Sequence, residues 1–432
     1  MKRAIFTMVL VGILGLAQAQ NNSITDSNPV KSVTAISKVL GDGRKLATVV
    51  LEYDASISNR SLSADSYRVE GKDVTRVYSN TAPSTAAEGS DGPYVIVEVK
   101  AEVDLYAQPK QPTPAEMEQK EERARMQGGP GLRAGWSTGS SDEYPGNAVV
   151  YQSKDIKTTS GKTYAASSEP MASTVEKCLV ADDFQQLEFV SPYTGQTLPY
   201  NLYLPADYDP SQKYPLVLFI HDAGVASGPV KQTLYQGNGA TSWAEPAAQA
   251  RHKCIVVAPE YPFITVDDNW NYSHHLDATL ALLKDLQTRY SVDSTRIYTT
   301  GQSMGCMSSI VLMLKEPDLF AGALLVAGKW NPSVMAPLDR QNLWIISCQG
   351  DASSSELQAQ AVETWRKQGS DVAEATWDMT LTPEQFTQEA NKMRAEGSHL
   401  LFTHLVGGNH RATWFVAYGI EGIQDWLFEQ HK

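Results

Sequence analysis

Cysteine is scarce in this chain: four among 432 residues, at positions 178, 254, 306 and 348. So few, so widely spaced, cannot form a disulfide scaffold, and without a CxxC pair or a Cys/His cluster there is no metal framework. They read instead as small buried thiols, Cys306 in a helix and Cys254 and Cys348 in strands, with a disulfide or redox role as the alternative. Basic residues are also short, 36 Lys and Arg against 49 Asp and Glu, for a formal net charge of −13. Phosphate binding needs clustered cations that displace counterions, and no basic stripe occurs, so neither nucleic acid nor an anionic membrane surface is expected as a partner. No apolar run reaches the roughly 20 residues that span a bilayer. Gly237-Asn238-Gly239 lacks the third glycine and the preceding strand of a dinucleotide fingerprint, so no organic cofactor is expected either.

Hydrophobic residues make up 42% of the chain and charged ones 20%, which is the balance of a folded protein. At this length it should form roughly two or three domains. The start, Met1-Lys2-Arg3, is basic, an apolar run follows, and Ala17-Gln18-Ala19 closes it with small residues. This is the pattern of a secretory signal peptide, 1–19, cleaved after Ala19, and it places the mature protein in the periplasm or outside the cell. Losing Lys2 and Arg3 would take the net charge from −13 to −15. The alternative is an uncleaved anchor.

From about residue 33 to 99 short alternating runs such as 46–53 and 94–99 are separated by Gly, Asp, Ser and Asn, the texture of a β-sandwich. The Cys-Trp-Cys mark of antibody domains is absent, so only the general immunoglobulin-like class is implied. Residues 107–145 turn polar, with Pro109, Pro112, Pro114, a charge run at 118–125 and Gly128-Gly129-Pro130-Gly131, and read as an insertion or long loop, either merely solvated or a binding arm. Strand character returns at 149–151. The sandwich is therefore expected within 20–180, where it can shape access to a site, bind a surface or mediate homo-oligomers.

Beyond residue 181 the pattern changes. Segments 187–190 and 200–204 look like a hairpin, and 214–220 is a continuous apolar run of the kind buried on both faces of a sheet. Further strand candidates at 254–258, 296–300, 323–326 and 343–347 alternate with helical spacing such as Leu276, Leu280, Leu283 and Leu286. Residues 181–432 are thus expected to form an α/β domain, a mostly parallel sheet with helices on both faces.

Within it, Gly301-Gln302-Ser303-Met304-Gly305 follows a strand and opens an apolar helix. A nucleophilic serine must project from a tight strand-to-helix turn, where glycines let chains pass closely and the helix N-terminus offers N–H groups to an oxyanion. Ser303 fits that role. A serine needs a base, and the base a carboxylate that fixes its tautomer; in such sheets these follow in the order acid, then histidine. Of the late histidines, His399 and His404 lie in a strand-like run and His431 at the chain end. His410, in a loop after Gly407-Gly408-Asn409, is the candidate base. Asp351, just past a strand end after Gln349-Gly350, is the candidate acid, with local helix capping as its other reading and Glu356, Asp371 and Asp378 as fallbacks. For the oxyanion the candidates are the Met304 amide and the Ala223 amide in the loop His221-Asp222-Ala223-Gly224, where His221 reads as structural. Trp243, Trp270, Tyr272 and Trp414 are candidates for a pocket wall or for core packing.

At these residues the chain resembles the α/β-hydrolase superfamily, and within it secreted bacterial esterases often called predicted peptidases or phospholipase/carboxylesterase-like proteins. The match runs through 214–224, Trp243-Ala244-Glu245-Pro246, 258–262, 301–305, 344–351, and from His410 through Thr413-Trp414 to Trp426-Leu427-Phe428. Some members of that group carry an immunoglobulin-like domain ahead of the hydrolase. The resemblance implies a serine hydrolase acting on small-molecule or glycan-linked carboxylic esters through Ser303, Asp351 and His410, with no metal or cofactor. It leaves open a carbohydrate (acetyl or feruloyl) esterase, a serine peptidase, or a non-catalytic glycan-binding protein on the same scaffold. Two positions depart from the pattern. Relatives usually have His-Gly where His221-Asp222 stands, which sets a carboxylate beside the oxyanion loop. Many place the acid three residues after the loop glycine, and here that position is Ser353.

Overall fold

The computed structural model describes residues 28–106, 113–115, 117–119, 122 and 146–432. The leader read at 1–19 and most of the polar segment 107–145 lie outside them.

The N-terminal part is all β: β1 (Val30–Leu40), β2 (Gly43–Ile57), β3 (Tyr67–Val69), β4 (Val74–Asn80), β5 (Gly92–Val99), β6 (Val149–Gln152), β7 (Ile156–Lys157), β8 (Thr163–Tyr164), β9 (Met171–Ala172) and β10 (Val175–Cys178). The order β10-β1-β2-β5-β4 makes one five-stranded sheet, and β3-β6-β9 with the pair β7-β8 make the other layer. Alternate residues from the first sheet, such as Val49, Leu51, Val95 and Val97, share one core with Tyr67, Val150, Ile156 and Tyr164 from the second. That is the period-two burial of a sandwich.

The C-terminal part contains β11 (Gln185–Val190), β12 (Thr197–Tyr203), β13 (Tyr214–Ile220), β14 (Ile255–Pro259), β15 (Val292–Gln302), β16 (Gly322–Val326), β17 (Leu343–Cys348), β18 (Val372–Asp378) and β19 (Leu400–Val406). Its helices are α1 (Gln232–Tyr235), α2 (Pro246–Arg251), α3 (His275–Arg289), α4 (Met304–Lys315), α5 (Ala352–Lys367), α6 (Pro383–Ala395), α7 (His410–Ala417) and α8 (Glu421–Glu429). The sheet order is β11-β12-β14-β13-β15-β16-β17-β19-β18. β11 and β12 form the antiparallel hairpin expected, and from β14 onward every pair is parallel. β13 is buried at all positions because its alternate residues serve two cores. Leu216, Leu218 and Ile220 pack with residues of α3, α4 and α5, while Val217 and Phe219 pack with residues of α6, α7 and α8. This is an α/β-hydrolase domain preceded by an immunoglobulin-like sandwich.

Two elements go beyond the sequence pattern. β18 is an edge strand that buries only part of its length, and α6 is polar over most of its surface. Neither carries the dense apolar signal that marks the central strands. The two domains also share packing. Val39, Cys178 and Val180 belong to the same buried cluster as Trp414 and Phe415 of α7.

Candidate active site

Parallel strands deliver their carboxyl ends to one sheet edge, where ligands bind in open α/β sheets. β13 ends in the loop from His221, β15 in Ser303, β16 in Ala327, β17 in the loop to Asp351 and β19 in the loop to His410. Ser303 sits at φ 53°, ψ −116°, a conformation unfavourable for a side-chain-bearing residue. Such strain costs of order 1–3 kcal/mol and persists only where the surroundings enforce it. Here they do. The Ser303 N–H donates to Val326 O (3.0 Å), and a Cβ on Gly305 would fall 1.9 Å from Ile220 O. A Cβ on Gly301 would meet the Gly305 backbone at 2.5 Å, so both glycines of the motif are demanded by close approach.

The Ser303 hydroxyl lies 2.9 Å from His410 Nε2, and His410 Nδ1 lies 2.5 Å from Asp351 Oδ2. In the arrangement these distances define, Nδ1–H donates to the carboxylate and Nε2 accepts from the serine. Asp351 fills both readings offered by its sequence context. While Oδ2 holds His410, Oδ1 accepts from Ser354 N at the start of α5 (3.4 Å). None of Glu356, Asp371 or Asp378 bonds His410, and Ser353 accepts from Lys329 Nζ at 2.8 Å instead. His410 opens α7, which is capped by Asn409 Oδ1 accepting from Ala412 N (3.0 Å), and its ring stands edge-on to Trp414 at 4.9 Å.

The loop after β13 is fixed from within. His221 Nδ1–H donates to Asp222 O (2.7 Å), and Tyr261 N–H donates to His221 Nε2 (3.1 Å). Burial pushes this imidazole down to about 4, so it is neutral and structural rather than a second base. Asp222 turns its carboxylate to two donors, Gly224 N (2.7 Å) and Gln302 Nε2 (3.0 Å). The Met304 amide stands at the first position of α4, among the N–H groups that a helix leaves without an internal acceptor.

Ala223, Ser303, Lys329, Asp351, His410 and Trp414 help line a cleft of about 280 Å³. Of the aromatic candidates, Trp414 alone lines this cleft. Trp270 and Tyr272 line a neighbouring groove with Trp330, and Trp243 is a core residue whose indole N–H donates to Gly239 O at 2.8 Å. All four cysteines are free and buried, and burial pushes the Cys306 thiol well above its ordinary range. Among the described residues no group of three His, Cys, Asp or Glu is arranged to hold a metal ion. Sequence reasoning passed over Gln302, Lys329 and Arg411. The available signals were slight: Gln302 is the variable position before the serine, and Arg411 follows the histidine.

A mostly parallel sheet with a strained strand-to-helix turn at its carboxyl edge, behind a β-sandwich, defines an α/β hydrolase with an immunoglobulin-like N-terminal domain. Residues 191–418, more than half of the chain, match the family model "Putative esterase", and the protein belongs to this esterase family. Residues 32–165 match the model of the esterase Ig-like N-terminal domain. The crystal structure of a thermostable esterase superposes with a TM-score of 0.72 at 25% identity, covering 93% of this chain and 100% of that one. A probable acetylxylan esterase A of Aspergillus flavus is 27% identical over 125 residues, and acetylxylan esterase A of Aspergillus oryzae 26% over the same length. Those alignments cover 27% of this chain, which spans only 39% of the length of these curated relatives.

Proposed function

We propose that this protein hydrolyses carboxylic esters by a serine mechanism, acting outside the cytoplasm after its leader is cleaved. The observation that carries this is the continuous hydrogen-bonded path from Asp351 through His410 to Ser303. In the proposed reaction Ser303 Oγ attacks the ester carbonyl carbon while its proton passes to His410 Nε2. Asp351 stabilises the imidazolium and holds Nδ1 protonated. The Met304 and Ala223 amides receive the oxyanion. As the tetrahedral intermediate collapses, the carbon–alkoxy bond breaks, His410 protonates the departing alcohol, and an acyl-Ser303 ester remains. Water, deprotonated by His410, repeats the sequence and releases the acid.

The names of the Aspergillus relatives make acetyl esters of xylan the first glycan substrates to try. The test is turnover of 4-nitrophenyl acetate and butyrate, with fluorophosphonate labelling, by the protein and by Ser303→Ala. Wild type should turn over and label, and the variant should lose about 10³-fold or more. A folded wild type that neither turns over nor labels would sink the serine mechanism and favour a non-catalytic glycan-binding role. Cleavage of peptide amides at rates matching the esters would move the assignment to a peptidase.

A further inference from the structure

Each carboxylate that lines the cleft has a hydrogen-bond or ion-pair partner, whereas among the described residues the guanidinium of Arg411 has neither. Asp222 is held by Gly224 and Gln302, Asp351 by His410, and Asp268 pairs with Lys329 at 3.1 Å. Arg411 lines the same cleft, immediately after His410 in the chain. Among the described residues its side chain makes no ion pair or hydrogen bond, and its Nε is buried without an acceptor. Its guanidinium rests instead against the rings of Trp414 and Phe415, 5.6 and 5.7 Å from their centroids. The stacking holds the group in place but satisfies none of its N–H donors. A buried donor without an acceptor is unfavourable and uncommon in native proteins, the more so when it belongs to a charged group. Guanidinium presents a planar fork of donors that fits a carboxylate two-pronged.

We infer that Arg411 binds a carboxylate carried by the ester substrate, so that the protein prefers acidic esters over neutral ones of the same size. This rests on the ester-hydrolase function proposed above. The carboxylate can sit on the acyl side or the alcohol side of the scissile bond, and the two are separable. For the acyl side, the 4-nitrophenyl monoester of adipic acid is compared with 4-nitrophenyl hexanoate. For the alcohol side, 4-acetoxybenzoate is compared with phenyl acetate. The quantity read is the ratio of kcat/KM for the acidic ester to that for its neutral match, which cancels any loss of folded enzyme. A site built to bond a polar group discriminates strongly against the analogue lacking it. In Arg411→Gln the ratio should fall about tenfold or more in one of the two arms, with Arg411→Lys between it and wild type. A ratio that stays within about twofold of wild type in both arms overturns the assignment of Arg411 while leaving the hydrolase standing. Failure of wild type on all four esters would instead remove the hydrolase function, and this inference with it.

Discussion

Gly350 and Gly408 meet backbone to backbone: a Cβ on Gly350 would lie 2.1 Å from the carbonyl oxygen of Gly408. The first stands just before Asp351 and the second just before Asn409 and His410, at the ends of the paired strands β17 and β19. The distance between acid and histidine is therefore set by how closely two loops can approach. Gly350→Ala should push them apart by more than the 2.5 Å contact between Asp351 and His410 can absorb. We expect kcat to fall about 10- to 100-fold, since small misplacements cost rate steeply. KM should change little, while the thermal midpoint should fall by roughly a few degrees as the two loops give way. A variant with wild-type kcat would show that the loops are not the spacer.

The two hydrogen bonds that Asp222 accepts make it a brace between the loop after β13 and the residue preceding Ser303. Asp222→Ala removes both acceptors and should lower kcat by about tenfold or more through a loosened oxyanion loop. Asp222→Asn keeps an oxygen for the Gly224 amide. Rotation of the Gln302 amide can then offer its otherwise unpartnered Oε1 to the new NH₂. The asparagine variant should therefore retain most of the activity. Equal loss in both would mean that the charge itself, not the brace, is what matters.

What could be read from the sequence follows how local each feature is. The strands β13, β16 and β17 announce themselves because burial on both faces removes most polar residues from them. Ser303 was legible because its strained turn needs glycines two residues to either side, a requirement confined to five positions. His410 and Asp351 were reached by chain order and strand ends. The brace from Asp222 to Gln302 spans 80 positions, and the pair of Asp268 with Lys329 joins two unrelated loops. No spacing rule connects such residues, because only the fold brings them together. Trp243 shows the converse. An aromatic near a loop looks the same in sequence whether it faces a cleft or, as here, packs against Phe428 in the core.

The turn between β1 and β2 presses on the helix that carries the histidine. A Cβ on Gly41 would fall 2.1 Å from Phe415 O in α7. Gly41→Val should thus displace α7 from a distance, lowering kcat for 4-nitrophenyl acetate by about tenfold while the sandwich itself stays folded. Circular dichroism and the thermal midpoint would report the fold, and steady-state rates the site. Unchanged kcat in a variant that remains folded would show that α7 is positioned by the hydrolase domain alone.

Acid should destabilise this protein through two buried histidines. Burial pushes both His221 and His275 from an ordinary value of 6.5 down to about 4. Above 6.5 both are neutral in folded and unfolded chains, so they add no pH dependence. Below it the unfolded chain takes up protons that the folded protein refuses, until the folded-state value near 4 is reached. Stability is therefore lost as pH falls through the window from 6.5 to 4, by on the order of 3 kcal/mol for each histidine. Urea midpoints measured at pH 7.5, 6 and 4.5 should drop in that order, and His275→Gln should flatten the dependence by about half relative to its own value at pH 7.5. A midpoint that does not move between pH 7.5 and 4.5 would mean that both rings gain a proton as readily folded as unfolded, and that neither is held neutral by burial.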